Sequence, residues 1–153
     1  NLKRHAIKKL VIINSHGGNN FTPIIRELSV KHPDIFICTI DWWKVCKAET
    51  YFTEPGDHAG ELETSVMMHL VPDLVSPLDV AGDGKAKNFK IAGFKERWAW
   101  AQRRWTAISE STGVGNPRLA TSENGERFVE DTSMKIAEFL VELAISDINE
   151  MYE

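Results

Sequence analysis

The chain has 153 residues, enough for one ordinary domain with a sizeable core and no covalent staples. With 42% hydrophobic and 26% charged residues, it has the composition of a globular chain rather than a disordered one. Its net charge of -4, from 18 basic and 22 acidic side chains, argues against nucleic-acid binding by phosphate neutralisation.

The chain opens with Asn1-Leu2-Lys3-Arg4, without Met, and runs within a few residues into a strand. Either a leader is missing, or this is the C-terminal piece of something longer. The apolar run Leu10-Val11-Ile12-Ile13 is too short for a signal-peptide core, and no run reaches membrane-spanning length. Closed by Gly17-Gly18, it reads as a strand buried on both faces. Thr22-Pro23 reads as an N-cap with proline at the first helical position, opening a helix to about Lys31 that Pro33 ends. Ile35 to Ile40 reads as a second buried strand. Strand, glycine turn, helix and strand make a βαβ unit, so the sheet is expected to be parallel.

Lys44 to Pro55 reads as helix fragment and loop. A helix is expected from Asp57-His58-Ala59-Gly60 to about Leu70, stopped by Pro72. Pro72 to Trp98 is long and irregular, as a lid or an oligomer contact would be. Gly113 to Pro117 is a turn. Asn124 to Glu150 is the strongest helix, with Val129, Ile136, Phe139, Leu140 and Leu143 on one stripe.

Three constellations could carry chemistry. His16, in Asn14-Ser15-His16-Gly17-Gly18-Asn19, falls at the carboxyl end of the first strand, where open parallel sheets bind ligands. A metal-ligating histidine and a turn histidine beside a flexible Gly-Gly both fit this pattern. In Asp57-His58-Ala59-Gly60-Glu61-Leu62-Glu63-Thr64-Ser65, Asp57 and Glu61 have a plain explanation as partners of the helix dipole. Gly60 weakens a helix and suggests a close approach of backbone or substrate. Glu63 shares a face with Gly60 and Met67, the side expected to turn inward, where a carboxylate must be paired or bind a cation. The third set is aromatic. Trp42-Trp43 follows the second strand and offers a pocket wall, while Trp98, Trp100 and Trp105 lie among Arg97, Arg103 and Arg104. Core packing is expected to account for at least half of these tryptophans, and the acidic net charge speaks against a Trp/Arg nucleic-acid surface.

Some leads fall away. Gly82-Asp83-Gly84-Lys85-Ala86 lacks the P-loop spacing. Cys38 and Cys46 make neither a disulfide framework nor a zinc site; Cys38 reads as a small core residue, and a reducing cytosol is the expected compartment. His5, His32 and His69 read as surface or packing residues.

Taken together, the motifs resemble the creatininase family of metal-dependent amidohydrolases. Ser15-His16-Gly17-Gly18-Asn19 is similar to its Gly-His-Gly-Gly-Asn motif. Residues 57–65 are similar to its His-Ala-Gly-x-x-Glu-Thr-Ser motif. Thr112 to Pro117, then Ala120-Thr121 and Glu123 to Arg127, are similar to its C-terminal segment. The matches run over nearly the whole chain in the same order.

The resemblance implies an α/β fold, a three-layer α/β/α sandwich with a mostly parallel sheet, of which residues 1–153 are the C-terminal portion of a single domain. It implies two divalent metal ions per site (zinc, manganese or iron) and a small amide as substrate, cyclic or linear. His16 and Glu63 match metal ligands, and His58 matches the proton shuttle, with Asp57 holding it. Gly17, Gly18, Asn19, Trp42 and Trp43 would line the substrate, with Gly17 and Gly18 amides on the developing oxyanion. The reading requires His16 and His58 to converge on one pocket. Gly17-Gly18 stands where creatininase proper has a Tyr-Glu pair, which points to relatives acting on other amides, including formamides and peptides. The family's N-terminal half, with its Glu-x-His motif, has no counterpart here. The implied partners are therefore an N-terminal companion chain or segment and further subunits, up to a hexamer of full units, with no nucleic acid and no membrane. The rival reading is a non-catalytic structural subunit of such an oligomer.

Overall fold

The structure is a computed structural model that describes residues 1–153. The chain folds as two compact units, one of Asn1–Cys46 with Asp131–Glu153 and one of Lys47–Glu130. No helix is long and apolar enough to cross a membrane.

The first unit holds the βαβ element. Strand β1 (Lys9–Asn14), helix α1 (Thr22–Lys31) and strand β2 (Phe36–Asp41) follow one another, and the strands pair in parallel from Lys9 with Phe36 to Asn14 with Asp41. The β-branched and apolar runs make the strands, and the helix supplies the crossover that parallel pairing needs. Helix α1 starts one residue earlier than expected. Phe21 holds the N-cap position, and Asn20 Oδ1, rather than a Thr22 hydroxyl, accepts an orphan amide, the Thr22 N–H, at 3.1 Å.

The expected burial of both strand faces is not observed. Most β1 and β2 residues are half-buried, and Ile13 is 54% exposed, because a pair of strands and one crossover helix cover only part of each other. Cys46, not Cys38, is the cysteine of the core, where Ile35 and Leu143 are also buried. Leu143 belongs to helix α5 (Ser122–Ile145), which begins in the second unit and ends in the first. Lys9 Nζ donates to the carbonyls of Leu143, Ala144 and Ser146, placing a cation on the orphan acceptors of that helix end.

In the second unit, helix α2 (Glu61–Leu70) packs on the start of α5. Its core is Phe52, Leu62, Val66, Ala120 and Phe128. Phe128 is fully buried and meets Tyr51 and Phe52 edge-on, with ring centroids 5.2 and 5.3 Å away. Of the expected α5 stripe, Leu143 is buried and Val129 and Ile136 are half-buried, while Phe139 and Leu140 are partly exposed; Phe128 and Thr132, outside that stripe, are buried. A side chain at Gly125 has no room, since a Cβ there would lie 2.0 Å from the Ser65 carbonyl oxygen. The backbones of α2 and α5 therefore touch, and Ser65 Oγ accepts the Thr121 N–H at 3.1 Å beside that contact.

Between these helices the chain is irregular, as its glycines and prolines indicate. It forms single turns at Pro72–Leu74 and Pro117–Leu119 and two short helices, α3 (Ala92–Lys95) and α4 (Trp105–Ile108). Trp98 and Trp100 are 76% and 83% exposed, so core packing does not explain them. The Trp98 ring lies flat on Gly93, where a Cβ would meet it at 2.6 Å, and its indole N–H donates to Glu96.

Candidate functional site

The expected residues fall in two groups, one in each unit. In the first, the carboxyl ends of the paired strands place Asn14 beside Asp41, and Asn14 Nδ2 donates to Asp41 Oδ1 at 2.8 Å. Asn14 is buried, and its Oδ1 accepts from the His16 backbone N–H and from Asn19 Nδ2, both at 3.2 Å. One amide thus fixes the start and the end of the His16 loop. Trp42 Nε1 donates to the Ser15 carbonyl at 3.3 Å, and the Trp43 ring sits 3.8 Å from where a Gly17 Cβ would be. Both tryptophans therefore flank the His16 loop, half-buried and edge-to-face with each other.

The loop differs from expectation in one respect. The Gly18 N–H, expected to face a developing oxyanion, donates to His16 Nδ1 at 2.9 Å. The exposed imidazole folds over Gly18, where a Cβ would meet the ring at 2.9 Å. With Nδ1 accepting, a neutral ring carries its proton on Nε2. His16 must release Gly18 before Nδ1 can offer its lone pair.

The Lys44 ammonium, and after it the Asn14 amide, hold the Asp41 carboxyl below the usual carboxylate range. A depressed carboxyl stabilises the fold above its unfolded pKa and loses that contribution as pH falls through the folded value. Acid titration below about pH 4 is therefore expected to loosen the Asn14–Asp41 pair and, through it, the His16 loop. Amide exchange of Asn19 with and without Asp41→Asn measures this. Equal pH dependence in both proteins would exclude it.

In the second unit, His58 is fixed through its backbone. The His58 N–H donates to the Val114 carbonyl at 2.9 Å, and the Val114 N–H returns to the His58 carbonyl at 2.8 Å. Ala59 turns the chain with φ of +51°, and helix α2 starts only at Glu61, with Gly60 at the N-cap position. Glu63 reaches back, its Oε2 accepting the Ala59 N–H at 2.6 Å, in the manner of a capping box. The same oxygen lies 3.8 Å from His58 Nδ1.

The carboxylate expected to turn inward was Glu63, but it is partly exposed, and so is Met67. The buried one is Glu61, 2% exposed, which accepts the Glu54 N–H at 2.7 Å. The difference follows from the helix start. With Gly60 outside the helix, the inward face is Glu61, Leu62, Ser65 and Val66. Asp57, expected beside His58, carries the Arg103 guanidinium on its carboxylate. Arg103 stacks over the Trp105 ring at 4.9 Å, and the other neighbour of that ring is the His58 imidazole, with centroids 5.0 Å apart. Arg103 and Trp105 were not singled out from the sequence as parts of the His58 site.

The donor types suit a divalent ion, but their arrangement does not complete a centre. No group of three or more His, Cys, Asp or Glu side chains gathers in the chain. The Nδ1 lone pair of His16 is engaged by Gly18, and Glu63 Oε2 by Ala59. The residues of this chain thus do not by themselves fit the implied two-metal site.

Comparison with known proteins gives these features a common frame. Residues 1–140 match the creatininase family, described as creatinine amidohydrolase. A mycofactocin precursor peptide peptidase of Mycobacterium ulcerans (strain Agy99) is 29% identical over 136 residues, 84% of this chain and 48% of that protein. The crystal structure of a candidate creatinine amidohydrolase from Bacteroides fragilis NCTC 9343 superimposes with a TM-score of 0.90 at 44% identity, covering 99% of this chain and 59% of that one. A creatininase variant complexed with creatine aligns with a TM-score of 0.71 at 24% identity, over 95% of this chain and 60% of that one, a likeness of fold. Other creatininase structures are Zn-Zn and Mn forms. The chain therefore spans about half to three fifths of the length of these relatives. It has the creatininase-like α/β fold with its parallel strand pair, and it belongs to the creatininase family.

Proposed function

We propose that this chain supplies the proton-transfer half of the active site of an amidohydrolase. In the reaction, water adds to an amide carbonyl and the C–N bond breaks. His58 takes a proton from that water and delivers it to the departing nitrogen, giving a carboxylic acid and an amine. The observation that carries the reading is the state of His58. Its backbone is locked to Val114, a carboxylate faces its Nδ1, and Trp105 lies against its ring. An imidazole held this way keeps its orientation through a catalytic cycle. Linear as well as cyclic amides come within range, since one relative is named for a peptide and others for creatinine.

The divalent ions seen in Zn-Zn and Mn creatininases belong to the proposal as cofactors shared with groups outside this chain. A companion segment or chain completing the site is the partner that follows, in an oligomer of completed units. Its support is the incomplete donor set together with the relatives' greater length.

The test compares the isolated chain with the assembled protein. The isolated chain is expected to bind Zn²⁺ or Mn²⁺ weakly and below stoichiometry, because its histidine and carboxylate donors do not close a site. The assembled protein should hydrolyse members of a small-amide panel, lose turnover with a chelator, and regain it with Zn²⁺ or Mn²⁺. Tight stoichiometric binding by the isolated chain would show that the ligands are misassigned. An assembled protein inert toward every amide tested would end the hydrolase reading.

A further inference from the structure

The Arg103–Asp57 pair has no task in the proton transfer just described, and it stands at a telling place. Both groups meet the Trp105 ring, the Arg103 guanidinium carbon 4.9 Å and the His58 ring centroid 5.0 Å from the Trp105 centroid. A fixed cation therefore shares an aromatic neighbour with the group proposed to protonate the departing nitrogen. The pair is open to solvent, with the Asp57 and Arg103 side chains 55% and 36% exposed. Such pairs are weak and screened by salt, so another carboxylate can take the place of Asp57 at little cost. The surrounding segment favours an anion too. Residues 83–105 hold seven Lys and Arg against two acidic residues, in a chain whose net charge is -4. A cationic ligand meets a repulsive field there.

We infer that Arg103 is a specificity-determining residue that binds a carboxylate on the leaving side of the substrate, with Asp57 occupying the guanidinium until that carboxylate arrives. The substrate class is N-acyl amino acids, including the last residue of a peptide. In such a leaving group the α-carboxylate carbon lies two bonds from the nitrogen that His58 would protonate, and Arg103 already holds a carboxylate on the residue next to His58, Asp57. The guanidinium fork matches a carboxylate with two parallel hydrogen bonds, and Trp105 holds its plane. This inference names the substrate for the site proposed above and rests on that reading.

The test titrates the full chain with N-acetylglycine and N-acetylglycinamide, which differ only in the carboxylate. It follows the Trp105 indole and Arg103 Nε–H signals by NMR. The acid is expected to saturate these signals, and the amide to bind about tenfold more weakly or worse. Asp57→Asn removes the competing carboxylate and should tighten the acid several-fold. Arg103→Lys, which keeps the charge but not the fork, should weaken it, and Arg103→Gln should abolish it. Indistinguishable acid and amide, or Asp57→Asn without effect, overturns the inference, and neither result depends on how Arg103→Gln folds. None of these readouts needs turnover, so the two proposals fail separately. Carboxylate binding with an inert assembled enzyme would sink the hydrolase reading alone. Turnover that needs His58, with an unchanged acid-to-amide ratio of kcat/KM in Arg103→Gln, would sink this one alone.

Discussion

Replacing His58 with glutamine in the assembled protein is expected to lower amide turnover by about 10²–10⁴-fold with assembly unchanged. The two outcomes separate because different atoms carry them. The position of residue 58 depends on its backbone bridge to Val114, which any side chain leaves in place. The chemistry depends on the imidazole, which glutamine matches in reach but not in proton exchange. His16→Gln is expected to reduce turnover as well, while Asn14 still holds the loop through its bonds to the residue 16 backbone and to Asn19. Steady-state rates beside native mass spectrometry check both. Full turnover in both variants, in intact assemblies, would make this chain a structural subunit whose activity lies elsewhere.

Gly125→Ala is expected to destabilise the second unit by about 3 kcal/mol, at the upper end of what overpacking costs. The new methyl would lie 2.0 Å from the Ser65 carbonyl oxygen, 2.4 Å from its carbon and 2.9 Å from the Val66 nitrogen. All three atoms are backbone of α2, so no rotamer change relieves the contact and the two helices must part. Parting them opens the packing around Phe128 and stretches the Ser65–Thr121 hydrogen bond. Urea unfolding followed by circular dichroism reads the change as a lower midpoint at unchanged slope. An unchanged midpoint would mean that α2 and α5 approach less closely than described.

Much of this architecture is legible in the sequence because strong local signals agree with one another. The two apolar runs, the helix between them and the glycine turn after the first run specify a parallel βαβ unit, and the structure has it. Ordered motifs over most of the chain identify the family. What escapes the sequence depends on contacts between distant or irregular segments. Glu61 reads as a helix-dipole partner, yet it is buried, where the Glu54 amide needs an acceptor. No periodicity reveals that need. Asp57 and Arg103 are 46 positions apart, and Arg103 lies in a stretch without a repeating pattern. The excess of Lys and Arg over residues 83–105 was the signal that could have drawn attention to it. The expected α5 stripe includes Leu143, which is buried, and omits Phe128, whose burial rests on contacts with the Tyr51 and Phe52 rings, far from it in the sequence.

Three glycines underlie the turn that carries His58. A Cβ on Gly56 or on Gly60 would lie 2.8 Å from the Cα of the other, and one on Gly115 would lie 2.8 Å from Gly56 Cα and 2.9 Å from Gly60 Cα. Main chain packs on main chain at this crossing, with no side chain between the strands of the knot. The backbone that carries the imidazole is consequently set by peptide units, while the Asp57, Glu63, Arg103 and Trp105 side chains surround the ring. Exchange of the Asp57 or Arg103 side chain is thus expected to leave the main chain of residue 58 in place.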